Sequence, residues 1–174
     1  MRKRVALTAA VLIGSAWPAQ GYGGEDNEAC ASVQALPKTR IDVCTRLVLS
    51  EKWTGSDLAA IFHNRGRAYY NQGRFDWAIR DYDLAVDLAP DNAGLFNDRG
   101  NAYDDKGQYE RAILSYDQAI ILDPAFALAY INRGWAYKKL GQGEWALRDY
   151  RKAHALGNRL QWLLGRLRQS GALP

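Results

Sequence analysis

From Leu58 onward, apolar and small residues recur at helical spacing and are interrupted by glycines. Leu58 to Asn71 predicts a helix, and Gly73 lies just past its end, where a left-handed C-cap favours glycine. Phe75 to Leu88 predicts a second helix, with Ala78, Ile79, Tyr82, Ala85 and Val86 on one face. Pro90 stops it, since proline cannot continue a helix. The whole pattern then returns. Asn64-Arg65-Gly66-Arg67-Ala68-Tyr69, Asp98-Arg99-Gly100-Asn101-Ala102-Tyr103 and Asn132-Arg133-Gly134-Trp135-Ala136-Tyr137 are spaced 34 residues apart. Gly107 and Gly141 repeat Gly73, and Pro124 repeats Pro90. A fixed period of this size predicts a stack of helix pairs, each burying its apolar face against its neighbours.

Ten of the 34 positions hold the same residue in all three copies, and nearly all are small, apolar or aromatic. The repetition therefore serves packing. A glycine inside a helix costs about 1 kcal/mol relative to alanine, so Gly66, Gly100 and Gly134 need a packing reason. A missing side chain lets the two helices of a pair approach, with Ala78, Ala112 and Ala146 opposite. Tyr69, Tyr103 and Tyr137, together with Tyr82, Tyr116 and Tyr150, are expected to fill the gap between neighbouring pairs.

The flanks are less regular. Tyr22 to Glu28 is Gly-rich and acidic and is expected to be a mobile N-terminus. Cys30 to Ala35 predicts a short helix ended before Pro37. Ile41, Cys44, Leu47 and Val48 form an apolar stripe on a second helix, with Asp42 near its positive end. A step of 34 residues back from Ala78 lands on Cys44, and from Tyr82 on Val48. Residues 22–58 therefore form an N-terminal segment whose part 25–58 resembles a worn-down repeat. Trp53 to Asp57 is the connection, with Ser56 or Asp57 placed to cap the next helix. Beyond the repeats, Leu160, Leu163, Leu164 and Leu167 share one helical face, which predicts a closing helix over 161–174. Arg159, Arg166 and Arg168 leave a membrane-surface helix as the alternative.

These motifs resemble the tetratricopeptide repeat family, of an exported bacterial kind. The match runs through Phe62, Gly66, Tyr69, Ala78, Tyr82, Ala85 and Pro90 in the first copy (59–92). It runs through Phe96, Gly100, Tyr103, Ala112, Tyr116, Ala119 and Pro124 in the second (93–126). In the third (127–160) it runs through Tyr130, Gly134, Tyr137, Ala146, Tyr150 and Ala153. The third departs at Gly143, where Phe75 and Tyr109 stand in the others, and at Asn158 in place of proline. The resemblance implies an all-α, right-handed superhelical solenoid of helix–turn–helix repeats with a C-terminal capping helix.

It also implies a concave groove lined by the first helix of each pair. The family's inner-face positions are His63, Asn64, Arg67, Tyr70 and Asn71 in the first repeat. They are Asn97, Asp98, Asn101, Asp104 and Asp105 in the second, and Ile131, Asn132, Trp135, Lys138 and Lys139 in the third. Asn64, Asp98 and Asn132 occupy one repeated place, and an asparagine there can pair with the backbone of an extended peptide. Trp135 is the expected anchor of a binding hot spot. Chaperone-binding members clamp a C-terminal carboxylate with lysine and asparagine at set places. His63 and Arg67 occupy two of those places here, so that specificity does not carry over.

Composition then narrows the function. Met1-Arg2-Lys3-Arg4, the apolar run from Val5 to Trp17 and the small residues of Ala19-Gln20-Gly21 together predict a cleaved signal peptide over 1–21. The apolar run is too short to span a bilayer, and no membrane insertion is expected after cleavage. Asn27-Glu28-Ala29 ahead of Cys30 is no lipobox. Removing residues 1–21 takes away three cations and no acids, so the net charge falls from +4 to +1. The basicity is an address label and implies no nucleic-acid partner. Export to the periplasm, or secretion, favours a disulfide between Cys30 and Cys44 over two buried thiols. Two cysteines with His63 and His154 give no zinc spacing, and no cofactor or phosphate-loop motif occurs. A Gly-x-Ser-x-Gly elbow is also missing, and the neighbours Asp104 and Asp105 point apart on a helix. The reading is a non-catalytic interaction module or scaffold of the cell envelope that binds a peptide or partner protein. Residues 76–123 hold eleven acids against four bases, and residues 130–174 nine bases against two acids. That asymmetry keeps head-to-tail self-association open as the alternative, ahead of an envelope enzyme.

Overall fold

The computed structural model describes residues 24–32, 34–157 and 165. The expected leader at 1–21 and, but for Gly165, the closing helix at 161–174 lie outside the described residues. Among the described residues the chain is all-helical: α1 (Gly24–Ala31), α2 (Pro37–Leu49), α3 (Gly55–Asn71), α4 (Phe75–Leu88), α5 (Ala93–Asp105), α6 (Tyr109–Leu122), α7 (Ala127–Lys139) and α8 (Gly143–Ala155). Each helix packs on the next in chain order, giving a solenoid of antiparallel pairs.

The ends of these helices follow from local chemistry. Gly73, Gly107 and Gly141 have φ of 70°, 78° and 75°, a region open to glycine at little cost. The residues after them, Arg74, Gln108 and Gln142, donate their N–H back to the carbonyls of Tyr69, Tyr103 and Tyr137 at 3.0, 2.8 and 2.9 Å. This is the Schellman arrangement, which satisfies carbonyls that a helix end leaves open. Three expectations need correction. Gly24 to Glu28 is helical, so α1 begins where a mobile terminus was expected and ends at Ala31. Asp42, expected near the positive end of the second helix, lies beyond its first turn, because Pro37 opens α2 at a first helical position that needs no N–H. Neither Ser56 nor Asp57 caps α3; Thr54 holds the cap position without a side-chain cap bond, and Asp57 lies in the first turn.

The repeated glycines are explained by contact within each pair. A Cβ on Gly66 would lie 2.8 Å from Cε1 of Tyr82. On Gly100 it would lie 2.4 Å from Tyr116, and on Gly134 2.6 Å from Tyr150. One edge of the second helix's tyrosine ring therefore occupies the place a side chain on the first helix's glycine would take. These rings also keep their expected place between pairs, since Tyr82 and Tyr116 share a buried core with Tyr69, Tyr103 and Ala136 of successive pairs. The alanines opposite help, with the carbonyl of Ala78 3.3 Å from the same point on Gly66. Tyr69, Ala78, Tyr82, Ala102, Tyr103, Ala112, Tyr116 and Ala136 join in one core that runs through successive pairs.

The repeated arginine is a tie between pairs. Arg133 donates through Nε and Nη2 to the two oxygens of Asp149 at 2.8 and 2.7 Å, and through Nη1 to Asp117 at 2.6 Å. One guanidinium thus links α7 to its own α8 and to α6 of the preceding pair. Arg65 does the same with Asp81 (2.8 and 2.7 Å) and Thr45 (3.2 Å). Arg99 reaches Ser115 (3.2 Å) and Asp83 (2.8 Å). Each of the three also lies over the aromatic ring one turn earlier, at 5.4 Å from Phe62, 5.2 Å from Phe96 and 5.5 Å from Tyr130. Burial works against the charge of Arg133, but the hydrogen bonds it donates to Asp149 and Asp117 outweigh it and raise its pKa.

The N-terminal pair is closed covalently. Cys30 and Cys44 form a disulfide across 14 residues, buried with Val43, Leu47 and Ile61. Arg40, 1% exposed, donates to the carbonyls of Cys30 (3.4 Å) and Asn64 (3.2 Å). It therefore joins the bridged pair to α3. Helix α3 approaches α5, and α5 approaches α7, while α4, α6 and α8 stay apart from one another. First helices thus line the inner side and second helices the outer.

Two substitutions test this account. Gly100→Ala should lower stability by about 1–2 kcal/mol in urea melts, because forcing the buried Tyr116 ring aside exceeds the roughly 1 kcal/mol gain in helix propensity. Arg133→Ala, which strands the buried Asp149 carboxylate, should cost about 3–5 kcal/mol. Adding Asp149→Ala should cost less than the sum of the two single changes, and strict additivity in the double-mutant cycle would show that the pair is not coupled.

Candidate functional site

The inner face is built from three helices that touch, and hydrogen bonds cross between them. His63 on α3 donates through Nε2 to Oδ2 of Asp98 on α5 at 2.7 Å. Tyr70 donates its hydroxyl to Oδ2 of Asp105. Asn132 on α7 donates through Nδ2 to Oδ1 of both Asn97 and Asn101, each at 3.0 Å. Asn97 in turn reaches Oδ1 of Asp98 at 3.4 Å. These bonds align the first helices and spend much of the polar capacity expected to face a ligand.

Among the described residues, two neighbouring hollows lie between the cross-ties. One, of about 200 Å³, is lined by Arg67, Tyr70, Asn71, Tyr82, Asp98 and Asn101. The other, of about 290 Å³, is lined by Tyr70, Asn101, Asp104, Asp105, Tyr116, Asn132 and Trp135. They share Tyr70 and Asn101, so they are neighbouring compartments of one groove. A larger hollow of about 690 Å³ lies elsewhere, at turn residues such as Pro90, Asn92 and Asp123 on the edge of the stack. None of the inner-face residues enters it.

Two of the expected groove residues are corrected by burial. Ile131 is 3% exposed and Asn97 6%. Ile131 belongs to the core with Tyr130, Ala146, Tyr150 and Ala153, and Asn97 acts as a buried acceptor for Asn132. Asn64 is half-buried, with its carbonyl held by Arg40. Trp135 packs edge-on to Tyr150, with centroids 6.4 Å apart at 70°. Lys138 lies over the indole at 4.7 Å, a cation–π distance. Lys139 is exposed beyond it.

Sequence reasoning left Tyr82 and Tyr116 out of the groove by treating them as packing residues. They belong to outer helices, yet both line the inner hollows. The glycine opposite each ring is the reason, since no side chain blocks the ring's way to the inner side. The hydroxyl of Tyr116 donates to Oδ1 of Asn101 at 2.9 Å. The repeated glycine at tyrosine's opposite number was the available signal.

Asp104 stands apart electrostatically. Its Oδ1 is sealed from solvent and meets no hydrogen-bond donor among the described residues. Burial raises its pKa, and Asp105 adds to the rise, while Lys139 opposes it. Burial, with Asp105, also raises the pKa of the Tyr70 phenol, so that hydroxyl stays a donor. Among the described residues no group of three His, Cys, Asp or Glu side chains could hold a metal, and no helix is long and apolar enough to cross a membrane.

A carboxyl held above its unfolded pKa is favoured by the fold in its neutral form, so ionisation at neutral pH weakens the fold. Asp104→Asn should therefore raise the melting temperature at pH 7. The advantage should shrink as pH falls through the carboxylate range, where the native Asp104 takes up its proton. Melts at pH 7 and pH 4 decide this; a variant that is less stable at pH 7 would contradict the burial argument.

The chain matches the tetratricopeptide repeat over residues 59–92 and the TPR repeat over residues 100–141. No curated protein sequence matches it. Among solved structures, MamA is similar with a TM-score of 0.65 and 25% identity, over 70% of this chain and 69% of that one. The first TPR of Spaghetti (RPAP3), solved bound to the HSP90 peptide SRMEEVD, is similar with a TM-score of 0.63 and 28% identity, over 67% of this chain and 92% of that one. The Arabidopsis OM64 TPR domain shares the fold at a TM-score of 0.60 and 24% identity, over 64% of this chain and 95% of that one. With the stacked pairs and the glycine–tyrosine contacts, these matches make residues 59–92 and 100–141 tetratricopeptide repeats, the unit of protein–protein interaction modules.

Proposed function

We propose that the chain is a non-catalytic scaffold of the cell envelope that holds an extended peptide, or an extended segment of a partner protein, in its concave groove. The observation that carries this reading is the pair of adjoining hollows on the inner face, lined by residues that differ between repeats. Arg67, Asn101 and Trp135 occupy one place in the three copies, and Tyr70, Asp104 and Lys138 another. Repeated positions hold the stack, so the varied ones are where a ligand would be distinguished. A similar structure holds a peptide, SRMEEVD. The groove here differs in charge from one suited to that acidic peptide, because Asp98, Asp104 and Asp105 occupy its middle. The export half of the proposal rests on the basic and apolar leader at 1–21. The non-catalytic reading is supported by the groove's carboxylates: Asp98 and Asp105 accept hydrogen bonds from His63 and Tyr70, and among the described residues no activated nucleophile adjoins them.

The chain recovered from the envelope fraction should lack about twenty N-terminal residues by mass, the usual length of a leader. Used as bait on an envelope extract, it should retain a partner that the Trp135→Ala, Lys138→Ala double variant holds at least about tenfold less well, a loss of roughly 1.4 kcal/mol. Equal capture by the folded double variant would remove the groove from the proposal. A retained leader would remove the envelope.

A further inference from the structure

The outer side of the stack is formed by α4, α6 and α8, and its middle helix carries two large apolar side chains in the open. Leu114 is 65% exposed and Ile121 66%. Gln118, also exposed, stands between them at helical spacing, so the three share one face of α6. The repeat does not require apolar residues there. The same places hold Arg80 and Asp87 on α4, and Arg148 and Ala155 on α8. Charge is graded across the same strip. The last two turns of α4 turn outward Asp87 and Asp83, whose side chain stays half exposed beside Arg99. The corresponding turns of α8 turn outward Arg148, Arg151 and Lys152, and their one acid, Asp149, is buried against Arg133. On α6 the equivalent acid, Asp117, is held by Arg133. The strip therefore reads acid, apolar, base from α4 to α8.

A strip with this order is complementary to itself when a second copy is turned about a two-fold axis through its middle. We propose that the outer side is a self-association face, occupied by a second copy of this chain in an isologous contact. With the axis at Gln118, α6 lies antiparallel on α6 of the other copy, so Leu114 of each meets Ile121 of the other. Helix α4 then faces the other copy's α8, which brings Asp83 towards Lys152 and Asp87 towards Arg148. Arg148 is already steadied over the Trp145 ring at 5.5 Å. A lipid surface carries one sign of charge, so it would repel Asp83 and Asp87 while attracting α8. The outer side of a solenoid curves away from its middle, so the contact is small, below roughly 1,200 Å² in total, and dissociates on dilution. The inner groove lies on the opposite side. The contact therefore stands independently of the groove reading, and the dimer presents two grooves that face apart.

The test follows the purified chain, its Cys30–Cys44 bridge intact, by sedimentation across a dilution series at low and high salt. A monomer–dimer equilibrium is expected, weaker at high salt. Leu114→Asp should raise its dissociation constant at least about tenfold, with an unchanged circular dichroism melt showing that the variant is folded. Asp87→Lys and Arg148→Glu should each weaken the dimer, and the two together should restore it, because each then meets the other across the axis. A residue on a two-fold axis meets its own copy, so Gln118→Cys should cross-link to itself on mild oxidation. Lys139→Cys, exposed on the inner side, should do so at least about tenfold more slowly, since nothing raises its effective concentration. A monomer at every concentration would overturn the proposal. So would oligomers that grow past two, a charge swap that fails to restore the dimer, or equal cross-linking by the two cysteines.

Discussion

A tyrosine ring edge set against a bare stretch of helix backbone sets the geometry of this molecule. Gly66, Gly100 and Gly134 each accept the ring of Tyr82, Tyr116 or Tyr150 at a distance that no Cβ would permit. Each glycine weakens its helix by about 1 kcal/mol, and the chain repeats that sacrifice three times. In return the two helices of a pair close to a fixed separation, and the pairs are alike. Since stacking needs like pairs, the groove depends on this contact.

A second set of interactions converts pairs into a stack. The guanidinium groups of Arg65, Arg99 and Arg133 each bond forward to their own second helix and backward to the one before. Bidentate geometry matters here, because a planar fork meeting a carboxylate fixes orientation as well as distance. On the opposite side His63–Asp98, Tyr70–Asp105 and Asn132–Asn97 bond first helix to first helix. The stack is therefore tied on both sides of its apolar core. Every polar group used in a tie is one fewer available to a ligand, which leaves recognition to the few groups between them.

The period and the glycine-marked ends of the first helices were legible because each rests on a local rule that recurs every 34 residues. The ring of Tyr82, Tyr116 or Tyr150 against the helical glycine was not, since only the alanines opposite were read as its partners. Gly73, Gly107 and Gly141 could be placed from chain chemistry alone. The cross-ties were not legible in that way. His63 meets Asp98 and Tyr70 meets Asp105 across 35 residues, one more than the repeat, an offset set by how neighbouring helices are staggered. Ile131 looked like a groove residue by its place in the repeat, but the stagger turns it into the core. The arginine ladder was visible as an identical residue in every copy. Its partners Asp81, Ser115 and Asp149, and Thr45, Asp83 and Asp117, vary in type, which hid the common geometry. At the N-terminus, a Gly-rich acidic stretch gave no apolar stripe, although the bridge to Cys44 holds it as α1.

In a linear array an end pair has only one neighbour, so it is the natural place for opening to begin. The N-terminal pair has a thin core, and links of two kinds hold it: Arg40 to the carbonyl of Asn64 and Arg65 to Thr45 across to α3, and Cys30 to Cys44 within the pair. These links act on different events. The guanidinium groups resist separation of the pair from α3, whereas the bridge leaves that separation possible but keeps α1 with α2 throughout. Any opening at this end would therefore carry α1 and α2 together as one block, because the bridge preserves their pairing.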